Sequence, residues 1–289
     1  MAITASAVKE LRDITSAGMM ACKKALTETD GDVQAAVKLL REKGIVKSAG
    51  RSDRETSEGI ITTQVSDCGC KGVLVETNCE TDFVAKNESF QAFVAEITET
   101  VFNSDVTDPE AATALPLADG TVQDALGAKF AQLGEVIKIK QLIRYEAECC
   151  GGVSSYIHAG AKVGVMLEIG AEKKETAGTD AFKALSRDIC LHIAATNPAG
   201  LTRDDIDSST IEEENDINRK KLEAAGKPAQ IIEKILVGQI NKFFSEACLI
   251  DQAFVKDPDL SIKQLLAAKG KELGDTLSIR RFVRYSISA

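Results

Sequence analysis

Histidine is nearly absent from the chain: His158 and His192 are the only two among 289 residues. A His-based triad therefore has little to draw on. No Gly-x-x-x-x-Gly-Lys-Ser/Thr phosphate loop occurs, since Gly226-Lys227 is followed by Pro228 and Gly270-Lys271 by Glu272. A Gly-x-Ser-x-Gly nucleophile elbow and a His-Glu-x-x-His zinc motif are missing too. No apolar run approaches the roughly 18 to 20 residues that cross a bilayer. The opening Met1-Ala2-Ile3-Thr4-Ala5-Ser6 lacks a charged segment followed by an apolar core, so no signal peptide is expected. Basic residues are outnumbered, 35 Lys+Arg against 44 Asp+Glu for a formal net charge of −9, which disfavours a grip on phosphate backbones. These absences predict a cytoplasmic protein that is no enzyme, with no cofactor, no metal, no membrane partner and no direct nucleic acid.

What is present is the composition of a soluble globular protein, 44% hydrophobic and 27% charged, at a length that suggests about two domains. The charge is uneven. Residues 1–54 carry ten Lys/Arg against seven Asp/Glu, a net of +3, leaving −12 for the rest. A basic head on an acidic body fits either two contact surfaces or a solvated helix face. Eight cysteines (22, 68, 70, 79, 149, 150, 190, 248) suit a disulfide scaffold or a reduced cytosolic protein, and without a signal peptide they are expected reduced. Cys68-Gly69-Cys70 lacks the second pair that zinc sites show, and the adjacent Cys149-Cys150 is poorly spaced for chelation. Most of these thiols are expected to act as small buried hydrophobes.

The first 46 residues read as three short helices. Thr4 can cap the first, whose apolar positions are Val8, Leu11 and Ile14; Gly18 marks a break before Met19, Met20 and Leu26. The third has Val33, Ala36, Val37 and Leu40 at i, i+3, i+4, i+7, with Asp30 to Asp32 before it and Gly44 predicted just past its end. Residues 47–58 contain no large apolar side chain and read as a linker that leaves the head mobile. A β-hairpin follows, with strand 59–66, a turn at 67–72 and a second strand at Val73-Leu74-Val75. Next come a helix from Asn87, with Phe90, Phe93, Val94, Ile97 and Val101 on one face, a helical piece over 122–133 and a strand over 136–145.

The second half repeats the first. The run from Gly152 parallels that from Gly59, Gly164-Val165-Met166-Leu167-Glu168 parallels Gly72-Val73-Leu74-Val75-Glu76, and both last strands end in Arg-Tyr, at Arg144-Tyr145 and Arg284-Tyr285. The offset is 92 residues at the hairpin and 140 at the last strand, so about 48 extra residues lie in between. They read as two helices, near 209–223 and after Pro228, around Ala225-Gly226-Lys227-Pro228. Such a hairpin can project from the body or lie flat on it.

Candidate functional residues are few. His192 lies in an apolar helical stretch and is expected to be a hydrogen-bonded core residue, while His158 lies at a strand-to-turn edge where contact with something else is expected. The most unusual segment is Asn78-Cys79-Glu80-Thr81-Asp82-Phe83-Val84-Ala85-Lys86, which sets a large ring beside an acid on a turn. Pattern alone leaves two readings: Phe83 packs in the core with Thr81 or Asp82 as a cap, or Phe83 is an exposed wedge for a partner's pocket.

These residues resemble a known family. Leu11-Arg12 to Thr15, Gly18-Met19-Met20 and Cys22-Lys23-Lys24-Ala25-Leu26 are similar to the N-terminal module of bacterial elongation factor Ts. Thr81-Asp82-Phe83-Val84-Ala85-Lys86 with Phe90-Gln91-Ala92-Phe93 resembles that family's core signature, and Gly226-Lys227-Pro228 its coiled-coil insertion. The resemblance spans essentially the whole chain. It implies an α+β fold: a UBA-like three-helix module (1–46), the linker (47–58), and a duplicated core of antiparallel-sheet subdomains (59–147 and 148–289), the second carrying an antiparallel coiled-coil hairpin near 205–248.

The resemblance also implies a guanine nucleotide exchange factor that binds elongation factor Tu, GDP-bound and nucleotide-free, and promotes exchange of GDP for GTP. Thr81, Asp82, Phe83 and Val84 would then carry the motif, with Asp82 and Phe83 pushing between helices of the GTPase domain and disturbing the partner's Mg²⁺ site. Leu11, Arg12, Met19, Met20, Leu133 and Gly134 would contact the same domain and His158 another one. Family members differ on dimerisation, which leaves a homodimer or a 2:2 complex open. The chain ends at Ser286-Ile287-Ser288-Ala289, so contacts made by the C-terminal helical extension of some members are expected to be absent or replaced. Two other classes remain on residues alone: a redox or metal protein using Cys68, Cys70 and Cys79, and a scaffold with a helical head.

Overall fold

In the computed structural model, which describes residues 3–15, 17–49, 54–118, 120–148 and 150–287, three helices come first: α1 (Ala5–Thr15), α2 (Met19–Glu28) and α3 (Val33–Ala49). Thr4 Oγ1 accepts from the Ala7 amide at 3.3 Å and Asp32 Oδ1 from the Ala35 amide at 3.0 Å, satisfying N–H groups that have no partner within their own helices. The helices close around Leu11, Cys22, Ala25, Leu26 and Ala36. α3 does not stop before Gly44 but runs on to Ala49. A glycine inside a helix costs about 1 kcal/mol, too little to end one that no proline terminates. Residues 47–49 of the expected linker are therefore helical, and 50–53 lie outside the described residues.

The body begins with β1 (Glu58–Val65) and β2 (Lys71–Cys79), an antiparallel hairpin. There follow α4 (Asp82–Ala85), α5 (Glu88–Phe102), α6 (Pro109–Thr113), the short β3 (Pro116–Leu117) and β4 (Gly120–Thr121), α7 (Val122–Leu133) and β5 (Lys138–Glu146). β5 returns beside β2, giving the sheet order β1-β2-β5. The apolar stripe of α5, from Phe90 to Val101, packs on Ile60, Val73 and Val75 of this sheet, as its helical spacing requires. α3 of the head lies alongside α7.

The second half lays down β6 (Gly151–Ile157), β7 (Val163–Gly170), α8 (Asp180–Thr196), α9 (Ser208–Ala224), α10 (Ala229–Ala247), β8 (Ala253–Phe254), β9 (Asp257–Ser261), α11 (Ile262–Leu273) and β10 (Ser278–Ser286). Its sheet order is β6-β7-β10, the same topology as the first. Ile61, Leu74 and Tyr145 of one sheet meet Val153, Met166 and Tyr285 of the other, so the sheets pack face to face with helices outside, an α+β arrangement. Among the described residues no helix is long and apolar enough to cross a membrane.

The repeat is real, but its sequence pairing is one residue out of step at β6. Gly59 faces Asn78 and Gly151 faces Gly170, so the counterpart of Gly59 is Gly151 rather than Gly152. A Cβ would fall 2.2 Å from the Thr77 carbonyl oxygen at Gly59 and 2.6 Å from the Ile169 carbonyl oxygen at Gly151, which explains a glycine at both. Adjacent glycines at 151 and 152 hide this register from pattern alone.

α9 and α10 form the inserted hairpin. α9 buries none of its described side chains and α10 only Ile232 and Leu236. At its base Arg203 pairs with Asp251 at 3.1 Å and lies over the Phe244 ring at 4.8 Å.

Candidate functional site

β2 is buried along almost its whole length, so the segment it delivers is fixed at one end. There Cys79 Sγ donates to the Thr81 carbonyl at 3.2 Å, and Thr81 Oγ1 accepts from the Val84 amide at 3.5 Å, capping the single turn of α4. At the other end Asn87 Oδ1 caps α5 through the Ser89 and Phe90 amides at 2.9 and 3.3 Å. Val84 and Ala85 face the core, and Phe83 is 81% exposed. Leaving such a ring in water forgoes about 1.5–3 kcal/mol of burial, which the fold could have gained by placing an apolar residue inward here. Of the two readings of Phe83, core or exposed, the geometry is the exposed one.

Asp82 beside it is half-buried, with its side chain 45% exposed. Lys86 Nζ donates to it at 2.7 Å, and this bond holds the Asp82 carboxyl below the usual carboxylate range and raises Lys86. Asp82, Ala85 and Lys86 line a shallow cleft whose other wall is Gly160, Ala161 and Lys162 of the β6–β7 turn. That turn is fastened to the first half by the Ile61 amide, which donates to the Ala161 carbonyl at 2.8 Å, and by the Lys162–Glu58 ion pair. His158 sits exposed in the same turn with Nδ1 3.2 Å from the Tyr156 hydroxyl. Residues up to 104 positions apart in sequence are thus gathered at one edge of the body.

Leu133 and Gly134 end α7, where Gly134 takes the left-handed conformation (φ 80°). The next residue, Glu135, accepts from the Thr81 amide at 3.0 Å and from Thr81 Oγ1 at 2.6 Å, joining this loop to the Phe83 turn. The sequence reading missed Glu135; its place directly after the repeat-edge Gly134, matched by Asp275 after Gly274, was the available signal.

In the head, Met19 and Met20 are 60% and 75% exposed at the start of α2, and Arg12 is exposed on α1. Leu11 differs from the expected contact role: it is fully buried in the head's own core and has no side-chain surface to offer. Val84, likewise buried, holds the turn from beneath.

His192 is buried, with Nε2 2.9 Å from Gln252 Oε1 and Nδ1 accepting from the Val255 amide at 3.3 Å. Cys22, Cys79, Cys190 and Cys248 are buried thiols; burial, with Glu135 nearby, pushes Cys79 up to about 12. Cys68 and Cys70, expected as free thiols, are joined as a disulfide at the β1–β2 turn, which brings their Cα atoms to 5.3 Å, within bridging range. Cys149 lies outside the described residues, among which no cluster of three or more His, Cys, Asp or Glu could hold a metal.

Known proteins are similar to this chain in sequence. The family model described as Elongation factor TS matches residues 80–289, and Elongation factor Ts of Clostridium perfringens is 46% identical over 284 residues, 98% of this chain and 92% of the relative. The chain belongs to the elongation factor Ts family. Elongation factor Ts of Syntrophotalea carbinolica is 43% identical over 289 residues (99% and 93%), and that of Trichlorobacter lovleyi 41% over 288 (99% and 92%). The matched elongation factor Ts span opens at Glu80, at the edge of the Phe83 turn, and the relatives' alignments extend the likeness through the head.

Proposed function

We propose that this chain is a guanine nucleotide exchange factor that binds elongation factor Tu, GDP-bound and nucleotide-free, and speeds release of GDP and its exchange for GTP. Membership of the elongation factor Ts family supports this reading, and one observation carries it: an exposed Phe83 on a turn held at both ends. A rigid, exposed ring enters a pocket at little entropic cost, as interface anchors do.

The mechanism is differential binding. A factor that binds the nucleotide-free partner better than the GDP-bound one weakens GDP by the same factor, because the coupling is reciprocal. Phe83 acts as the wedge between helices of the partner's nucleotide domain, while the Asp82 carboxylate, kept ionised by Lys86, disturbs the partner's Mg²⁺ site. Since Mg²⁺ neutralises phosphate charge and holds the switch segments, loosening it loosens GDP. No bond of the nucleotide breaks, so the chain is not an enzyme.

Arg12, Met19 and Met20 supply a second contact, Leu133 and Gly134 flank the wedge, and His158 meets another domain of the partner; Leu11 and Val84 support these surfaces from below. We read the head (1–46) as a UBA-like module, 47–58 as a linker, 59–147 and 148–289 as the two core subdomains, and α9–α10 as an antiparallel coiled coil. The closed head core and the Arg219–Glu233 ion pair across the hairpin support these divisions. The test is release of a fluorescent GDP analogue from purified elongation factor Tu with and without the chain. Acceleration is expected; an unchanged release rate at saturating chain contradicts the reading.

A further inference from the structure

We propose that Glu135 is a positioning residue of the exchange site: its carboxylate grips Thr81 and so fixes the direction in which Phe83 is presented. The inference rests on the exchange-factor reading of Phe83. α4 is one turn of four residues, far below the length at which a helix holds itself, so its orientation must come from outside. Glu135 supplies it with two bonds to one residue, from the Thr81 amide at 3.0 Å and from Thr81 Oγ1 at 2.6 Å. An ionised acceptor makes such bonds the stronger kind, and two on one residue fix orientation as well as position. The strand end answers in kind, for Glu80 Oε1 accepts from the Val136 amide at 2.8 Å, so the two loops exchange carboxylates.

The second half of the body provides an internal comparison. Asp275, 140 residues after Glu135, accepts from the amides of Glu172 and Lys173 at 3.0 and 3.1 Å and from Thr176 Oγ1. That loop is the counterpart of the Phe83 turn, with Glu175 where Phe83 would stand. The same clamp thus exists in a copy that presents no aromatic ring, so loss of a clamp can be separated from loss of presentation.

The experiment uses the full chain and two variants, Glu135→Gln and Asp275→Asn. Glutamine keeps one acceptor oxygen and sets an NH₂ donor against a Thr81 donor. Amide hydrogen exchange by NMR on the free chain is expected to speed up about tenfold at Thr81 in Glu135→Gln, with β2 and β5 amides still protected. With elongation factor Tu, the maximal rate of GDP release is expected to fall about tenfold while the half-saturating concentration moves less than about twofold, since other contacts remain. Asp275→Asn frees the Glu172 and Lys173 amides and leaves GDP release unchanged. Unaltered Thr81 exchange in Glu135→Gln, or faster exchange with wild-type GDP release, overturns the positioning role. If the wild-type chain does not accelerate release at all, the exchange-factor reading fails and the positioning role falls with it; Thr81 exchange in the free chain still reports the clamp separately.

Discussion

Glu76 and Glu168 occupy the same place in the two sheets, 92 residues apart, and both are buried where a strand bulge brings a cation over them. Lys140 Nζ lies 3.0 Å from Glu76 Oε1 and Gln141 Nε2 donates to Oε2 at 2.5 Å; Arg280 Nη1 lies 3.1 Å from Glu168 Oε1 and Arg281 Nε donates to Oε2 at 2.6 Å. The bulge is what makes this possible, since it sets two neighbouring residues of the edge strand over one carboxylate. Removing the buried carboxylate takes an acceptor from both arginines, which keep solvent and backbone carbonyls as partners. Glu168→Ala is therefore expected to lower stability by about 1–3 kcal/mol, read as a drop in the urea midpoint with an unchanged slope.

The head separates packing from contact. Leu11→Ala is expected to destabilise the head by about 2–5 kcal/mol because it empties the centre of a small core. Met20→Ala, on the surface, is expected to change stability by no more than about 0.5 kcal/mol yet weaken binding to elongation factor Tu. Thermal melts beside a binding titration check both, and equal melting losses in the two variants contradict the division.

His192 predicts a pH dependence. Val255 N–H donates to Nδ1, so the neutral ring carries its proton on Nε2, where Gln252 Oε1 accepts it. Burial lowers the His192 pKa, with the Gln252 bond opposing in part. The unfolded chain therefore binds this proton more readily than the native one. Its contribution is complete above the ordinary histidine value of about 6.5 and is lost as pH falls below that toward the lowered native value, at no more than about 1.4 kcal/mol per pH unit. Denaturation series between about pH 7.5 and about pH 5.5 (about one unit either side of that value) are expected to show this slope in the wild type and a flatter one in His192→Gln. Parallel slopes contradict the assignment.

Much of this was legible because hydrophobic periodicity and capping are local. Asn87 and the Phe90 to Val101 stripe announce α5, and the Gly-rich hairpin motifs announce the duplicated sheets. What was hidden depends on contacts between distant residues. The exposure of Phe83 depends on Glu135, 52 positions on, and on what the core already contains. The burial of Leu11 depends on how three helices close, and the register of Gly151 on a carbonyl across the strand. The Cys68–Cys70 bridge needed the turn's geometry. α3 passed its glycine because no stronger stop signal followed.

The wedge we propose is Phe83. Because its ring is exposed, Phe83→Ala is expected to leave the fold's stability unchanged. Stopped-flow release of labelled GDP from elongation factor Tu, at saturating wild-type chain and at saturating Phe83→Ala, measures the wedge directly. If Phe83 is the wedge, the wild type accelerates GDP release and the variant loses most of that acceleration. Equal release rates with the two proteins would contradict it.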